Sequence, residues 1–219
     1  MAKPLIIGIN GSPRKDGRTA KLLKRVLKAA EKRGAKVKII HLAEKNIHPC
    51  AGHYSIKPSS CRYPCKIKDD MTEIYKLLIE SDGIVFASPV YWFNVSGLMK
   101  NFLDRLTCLE GDYFCMKNPN DPNVFLLEGK VAGFVISGEE AGGISALNAL
   151  MSFAQYNGLI IPPYTAVYNF GDPKRNVKWK PKDYDLAGEN LLIAIKAQKY
   201  LEKSCPKKWP YPWDYKCKP

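Results

Sequence analysis

The sequence predicts an α/β protein, with a parallel sheet covered by helices on both faces. Three observations predict it. The runs Leu5-Ile6-Ile7-Gly8-Ile9, Gly83-Ile84-Val85-Phe86-Ala87 and Val131-Ala132-Gly133-Phe134-Val135-Ile136 are continuously apolar, as strands buried on both faces require. Segments with apolar residues at helical spacing separate them. The three loops of unusual composition, 11–19, 88–97 and 137–143, each follow a strand. A parallel sheet carries such loops to one edge, where ligands bind.

Residues 4–10 form the first strand. Leu22, Leu23, Val26, Leu27 and Ala30 recur at helical spacing over 19–33, and Gly34 marks that helix's end. Residues 37–42 form the second strand. Residues 43–68 read as irregular, with three cysteines, two histidines and three prolines. A stretch of that length inside a compact domain is usually functional or disordered. Asp70 as N-cap and Glu73 as its capping-box partner open a helix to about Glu80. The third strand, 83–87, gives way to the loop that ends at Gly97. A helix with Leu98, Met99, Phe102, Leu103 and Leu106 on one face follows. After a loop over 108–129 come the fourth strand, 131–136, and a helix to about Asn157. Leu159-Ile160-Ile161 begin a fifth strand continued near Val167, and the last helix spans roughly 183–203. One domain is expected over 1–203, with a tail rich in Pro, Trp, Tyr and Lys over 204–219.

The 219 residues suit one large domain, and 46% hydrophobic content is ordinary for a globular chain. No apolar stretch is long enough to span a bilayer, and no basic segment precedes an apolar one at the N-terminus. A cytoplasmic protein that does not engage membranes is expected. The net charge of +13 comes from lysines and arginines spread along the chain. Lys21, Lys24, Arg25, Lys28, Lys32 and Arg33 fall on the polar side of one helix. This reads as a solvated surface. It attracts phosphorylated ligands, NADPH among them. Nucleic acid is not an expected partner, because nothing beyond charge supports it.

Gly11-Ser12-Pro13-Arg14-Lys15-Asp16-Gly17-Arg18-Thr19 joins a buried strand to a helix. Unpaired N–H groups and the helix dipole at such a junction favour an anion. The loop lacks the G-x-x-x-x-G-K-[ST] pattern of a Walker P-loop and the G-x-G-x-x-G of a dinucleotide fold. Ser12 and Thr19 offer hydroxyls, and Arg14 and Arg18 offer charge. That set suits a monophosphate such as that of flavin mononucleotide (FMN); the plainer alternative is a βα turn with Thr19 as N-cap. Pro89, Val90, Tyr91, Trp92 and Phe93 place aromatics where a strand has just ended. A flat tricyclic ring suits them; packing under a loop or at a dimer interface is the other explanation. Asn94 and Ser96 suit polar ligand edges, or Ser96 caps the next helix. Gly138, Gly142 and Gly143 permit close approach of backbone to a ligand, and Glu139 suits a ribityl hydroxyl or water. No side chain is expected to be catalytic, since a flavin carries its own electron chemistry. Neither H-E-x-x-H nor G-x-S-x-G occurs.

Gly11-Ser12-Pro13-Arg14, with the long run Pro89-Val90-Tyr91-Trp92-Phe93-Asn94-Val95-Ser96-Gly97-Leu98-Met99-Lys100-Asn101-Phe102-Leu103-Asp104-Arg105, resembles the NADPH-dependent FMN reductase family over about residues 4–170. The sequence is more closely similar to the family's iron-sulfur flavoprotein branch. The resemblance implies a flavodoxin-like three-layer fold with a five-stranded parallel sheet in the order 2-1-3-4-5. It implies noncovalent FMN and a homodimer or homotetramer. The phosphate falls to Ser12, Arg14 and Thr19, and the ring and ribityl chain to Pro89, Val90, Tyr91, Trp92, Phe93 and Asn94. Arg18 stands where the family often has Asn.

Cluster-binding members of that branch carry a compact cysteine run just before Lys-Asp-Asp-Met. Here Cys50, His53, Cys61 and Cys65 occupy the segment before Lys68-Asp69-Asp70-Met71. Three thiolates and an imidazole suit an iron-sulfur cluster, a Cys₃His zinc site, one disulfide, or a degenerate loop of free thiols. Cys108 with Cys115 and Cys205 with Cys217 bracket two further segments, and sequence leaves their pairing open. The resemblance implies an oxidoreductase that passes electrons from NAD(P)H through FMN to a small acceptor such as a flavin, quinone, metal ion or oxygen. The alternative is an electron carrier that takes electrons from a ferredoxin-like partner.

Overall fold

The computed structural model describes residues 2–57, 60–110, 125–138, 141–170 and 181–204. The first half runs β1 (Leu5–Asn10), α1 (Arg18–Lys32), β2 (Lys36–His41), a 3-10 turn (Leu42–Glu44), α2 (His53–Ile56) and α3 (Met71–Glu80). It continues with β3 (Gly83–Tyr91), β4 (Asn94–Val95), α4 (Gly97–Arg105) and α5 (Thr107–Glu110). The second half holds β5 (Val131–Gly138), α6 (Gly143–Tyr156), β6 (Ala166–Phe170) and α7 (Pro181–Ser204).

Five strands pair in parallel in the order β2-β1-β3-β5-β6. This is the expected order of five. The numbering shifts because a sixth, two-residue strand, β4, pairs antiparallel with β3. Residues 88–95, expected as a loop, are therefore a β-hairpin. The fifth strand is Ala166–Phe170, and Ile160 contributes only a single bridge to Val131.

Alternation along each strand builds two cores. Ile7, Ile9, Ile84, Phe86 and Phe134 meet α3, α4 and α6 through Met71, Ile74, Met99, Phe102 and Leu150. Ile6, Val85 and Val135 meet α1 and α7 through Leu23, Val26, Leu27, Leu191 and Ile195. Each such side chain contributes about 1.5–3 kcal/mol when fully buried. Gly188 lets α7 approach α1, because a Cβ there would lie 2.2 Å from the Val26 carbonyl oxygen.

The expected capping box of α3 does not form. Asp70 makes no side-chain cap, and its Oδ2 accepts the Asn46 N–H instead. Glu73 pairs with Lys76. Asp69, one residue earlier, accepts the Met71 N–H at 3.0 Å.

Asp69 also holds the buried Arg105. Both side chains are wholly inaccessible. The Arg105 guanidinium donates to both Asp69 oxygens, to the carbonyls of His48 and Ile67, and to Cys65 Sγ at 3.7 Å. Only its Nε lacks a partner. One cation thus ties the 48–69 segment to the end of α4. Burial alone would push the Asp69 carboxyl up, but hydrogen bonds from Arg105 and from the His48 and Met71 N–H groups outweigh it and hold its pKa below the ordinary value.

Removing one partner leaves an uncompensated buried charge. Arg105→Met is expected to cost about 3–5 kcal/mol, read as the shift in urea midpoint at constant m-value. The depressed Asp69 pKa sets the sign of the pH effect. Its stabilisation is fully present above about pH 4, the ordinary carboxyl value, and is lost as pH falls through the lower folded value. Asp69→Asn should remove that acid-side component from the stability profile.

Candidate functional site

The β1–α1 loop is built from its own polar groups. Asn10 Oδ1 accepts the Ser12 N–H, and Ser12 Oγ accepts the Arg14 N–H. The Gly17 N–H closes on the Arg14 carbonyl at 3.2 Å. Gly17, not Thr19, is the N-cap of α1, and no side chain caps it. The first turn of α1 carries no acidic residue, so its dipole acts on the cleft with nothing opposing it there.

The hairpin after β3 turns on Trp92 and Phe93, at φ of 47° and 63°. Val90 pairs with Val95 and Tyr91 with Asn94. Two central residues at positive φ are the signature of a type I′ turn, ordinarily Asn-Gly. Here the turn lifts aromatics into solvent: Trp92 is 93% exposed, Phe93 59% and Tyr91 44%. Ser96 caps α4, accepting the Met99 N–H at 3.1 Å. Its hydroxyl donates to the Gly11 carbonyl at 2.6 Å, so the cap is also the link to the first loop.

The end of β5 completes the constellation. Ser137 Oγ lies 2.7 Å from Thr19 Oγ1. Gly142, at φ 83°, would place a Cβ 2.3 Å from Phe93 Cα. A Cβ on Gly138 would meet Val90 at 2.8 Å, and one on Gly143 would fall on the Tyr168 ring. These glycines serve approach between protein segments.

Between the three loops lies a cleft of about 590 Å³, within the range of small-ligand sites. Arg14, Arg18, Thr19 and Gly138 line it, as do Pro89, Val90, Tyr91, Trp92 and Phe93. The remaining expected residues stand elsewhere. Ser12 is buried behind the loop it orders. Asn94 Oδ1 accepts the Val95 N–H, and Gly142 and Gly143 pack on Phe93 and Tyr168. Ser137 and Ala141 line the cleft without having been singled out. Their position at the carboxyl end of a strand was the available signal. Glu139 lies outside the described residues.

The four candidate metal ligands do not converge. Cys50 is exposed, and Cys61 and Cys65 are half-buried. His53 opens α2. Among the described residues, no group of three or more His, Cys, Asp or Glu side chains stands where it could hold a metal ion. The Arg105 guanidinium donates to the Cys65 sulfur and to three oxygen-bearing residues of the same segment. Four gathered thiolates, the usual need of an iron-sulfur cluster, do not occur among the described residues. Cys108 is buried, and burial pushes its thiol pKa up to about 12. Cys115, Cys205 and Cys217, with the whole tail from 205, lie outside the described residues. No described helix is long and apolar enough to cross a membrane.

The sheet order and the loops at its carboxyl edge define a flavodoxin-like α/β protein with a nucleotide-sized cleft. The chain belongs to the NADPH-dependent FMN reductase family, an oxidoreductase family, whose profile matches residues 4–171. An iron-sulfur flavoprotein of Archaeoglobus fulgidus is 41% identical over 100 residues, 46% of this chain. This chain spans less than half of that relative, 44% of its length. Another iron-sulfur flavoprotein of the same organism is 35% identical over 162 residues, covering 71% of this chain and 74% of the relative. The crystal structure of RosB with a bound 8-demethyl-8-formylriboflavin-5′-phosphate intermediate superposes with a TM-score of 0.70 at 16% identity, covering 94% of this chain and 82% of RosB.

Gly142 tests the contact between the second and third loops. Gly142→Ala is expected to lose about 2–4 kcal/mol, from left-handed backbone strain and the collision with Phe93. Gly97→Ala, whose Cβ meets nothing within 4 Å, should be neutral or slightly stabilising. Thermal denaturation of the two variants side by side checks both.

Proposed function

We propose that the chain is an FMN-containing oxidoreductase that takes electrons from NAD(P)H and passes them to a small acceptor: a flavin, a quinone, a metal ion or oxygen. The observation that carries this reading is the single cleft on which the loops after β1, β3 and β5 converge. Its donor set suits the cofactor at both ends. Arg14, Arg18, Thr19 and the open N-terminus of α1 suit the phosphate. Pro89, Val90 and the Tyr91-Trp92-Phe93 turn suit the apolar ring.

When bound, FMN supplies hydride and single-electron transfer. The protein's part is to bind, orient and expose. Among the described lining residues none is a carboxylate, an imidazole or a thiol, which accords with chemistry borne by the cofactor. The exposure of Tyr91 and Trp92 keeps the ring's surroundings open to a second substrate.

The second reading is an electron carrier reduced by a ferredoxin-like partner. It is favoured by the 35% identity to an iron-sulfur flavoprotein and by the +13 charge, which suits an acidic carrier. For either reading we propose a homodimer or homotetramer, supported by the exposed Ile144, Tyr156 and Phe93.

Arg18→Ala is expected to weaken FMN binding about 10- to 100-fold, the worth of one charge-assisted phosphate contact. Fluorescence titration reads this, and unchanged affinity would remove Arg18 from the phosphate site. Oxidation of NADPH with free FMN or quinone as acceptor supports the enzyme. Reduction by ferredoxin alone, with NADPH inert, supports the carrier.

A further inference from the structure

Asn10 ends β1 and is fully buried. Both ends of its amide are engaged. Oδ1 accepts the Ser12 N–H at 3.2 Å, and Nδ2 lies 2.9 Å from Nδ1 of His41, the last residue of β2. The sheet register sets these two residues side by side. Ser12 Oγ in turn accepts the Arg14 N–H at 3.1 Å, and Arg14 lines the cleft. A chain of hydrogen bonds therefore runs from the edge strand to the mouth of the site.

The polarity of that chain follows from which atoms can donate. An N–H from Ser12 fixes Oδ1 as the acceptor, so the amide presents a donor to His41. Nδ1 must then accept, which requires a neutral imidazole with its proton on Nε2. A protonated imidazole sets N–H against N–H. Rotating the amide to repair that contact opposes Nδ2 to the Ser12 N–H. Either way the buried Asn10 loses one hydrogen bond.

We propose that His41 and Asn10 are positioning residues for the β1–α1 loop, and that the loop keeps its phosphate-binding form only while His41 is neutral. The inference rests on the FMN reading above. The charged groups around His41 are Glu44 of the 3-10 turn, Lys15 and Asp16 of the loop, and Lys24 of α1. Lys15 and Glu44 are themselves paired at 2.6 Å. Burial lowers the His41 pKa from its ordinary value, outweighing the opposite pull of Glu44. The neutral form thus prevails at pH 7, and the loss falls on the acid side of about pH 6.5.

Stepwise dilution of the FMN-loaded protein, read by the fluorescence of released flavin, gives Kd from pH 5 to 8. His41→Asn is the comparison, since its Oδ1 keeps an acceptor near Nδ1 and does not titrate. The flavin phosphate titrates near pH 6 in both proteins and cancels in their ratio. The ratio of wild-type to His41→Asn Kd should be near one at pH 8 and rise about three- to tenfold by pH 5. Asn10→Ala should weaken binding across the whole range without that inflection. A flat ratio with FMN retained overturns this inference and leaves the FMN reading standing. Wild type that retains no FMN at any pH overturns both. Imidazole ¹⁵N spectra of the unliganded protein give a second check: the Nε2–H tautomer is expected at pH 7.5, and Nδ1–H overturns the proposed polarity.

Discussion

Gly11 is the point at which the site is joined to the sheet. Its N–H donates to the Ala87 carbonyl on β3 at 2.8 Å, and its own carbonyl accepts from Ser96 Oγ at 2.6 Å. Ser96 caps α4, while its N–H donates to Ser88 Oγ. One residue therefore ties the end of β1, the hairpin after β3 and the start of α4 together. A Cβ at Gly11 would stand 2.9 Å from Met99 Cβ, so the stitch closes only because that position has no side chain. Both partner hydroxyls are buried, where an unmade hydrogen bond costs about 1–3 kcal/mol. The loop is thereby held without help from a ligand.

The third loop joins through different physics. Thr19 and Ser137 share a buried hydrogen bond, and Gly142 accepts the Phe93 backbone against itself. The Trp92-Phe93 turn puts two bulky residues at positive φ, a conformation that costs roughly 1–3 kcal/mol for each. The closed two-residue hairpin and the Gly142 contact hold it in place. A site fixed by its own scaffold orders fewer groups on binding, and so converts more of each ligand contact into affinity.

The core was legible in the sequence because burial on both faces leaves short, β-branched, continuously apolar runs set between segments of helical spacing. The first loop was legible because a strand, a Gly/Ser/Thr stretch and a helix pattern occur in succession. The hairpin was not, since Trp-Phe carries none of the Asn-Gly signal on which a type I′ turn is recognised. Asp70 reads as the capping carboxylate because of its spacing to Glu73; in the structure Asp69, held by Arg105 and the His48 N–H, accepts the Met71 N–H instead. Arg105 closes the run that begins at Pro89 and stands at the end of α4. Nothing local marks it as wholly buried, because its partners lie 36 and more residues away. The cysteine segment reads as four possible ligands with several fates open, and its packing on Arg105, which donates to Cys65 Sγ, has no local signal either.

Charge in this molecule divides by solvation. The Arg105 cation is taken out of water and matched by Asp69 within the same buried network, so it contributes shape and almost no field at the surface. Lys15 and Lys24 are exposed and paired with Glu44 and Asp16; pairs of this kind are each worth little in stability. Arg14 and Arg18 line the cleft beside the uncapped end of α1. Their charge acts over roughly a Debye length of 8 Å at physiological salt, which spans a cleft of this size. The net +13 is thus mostly solvated background. The part that bears on the proposed phosphate site is two guanidinium groups and one helix terminus at the carboxyl edge of the sheet.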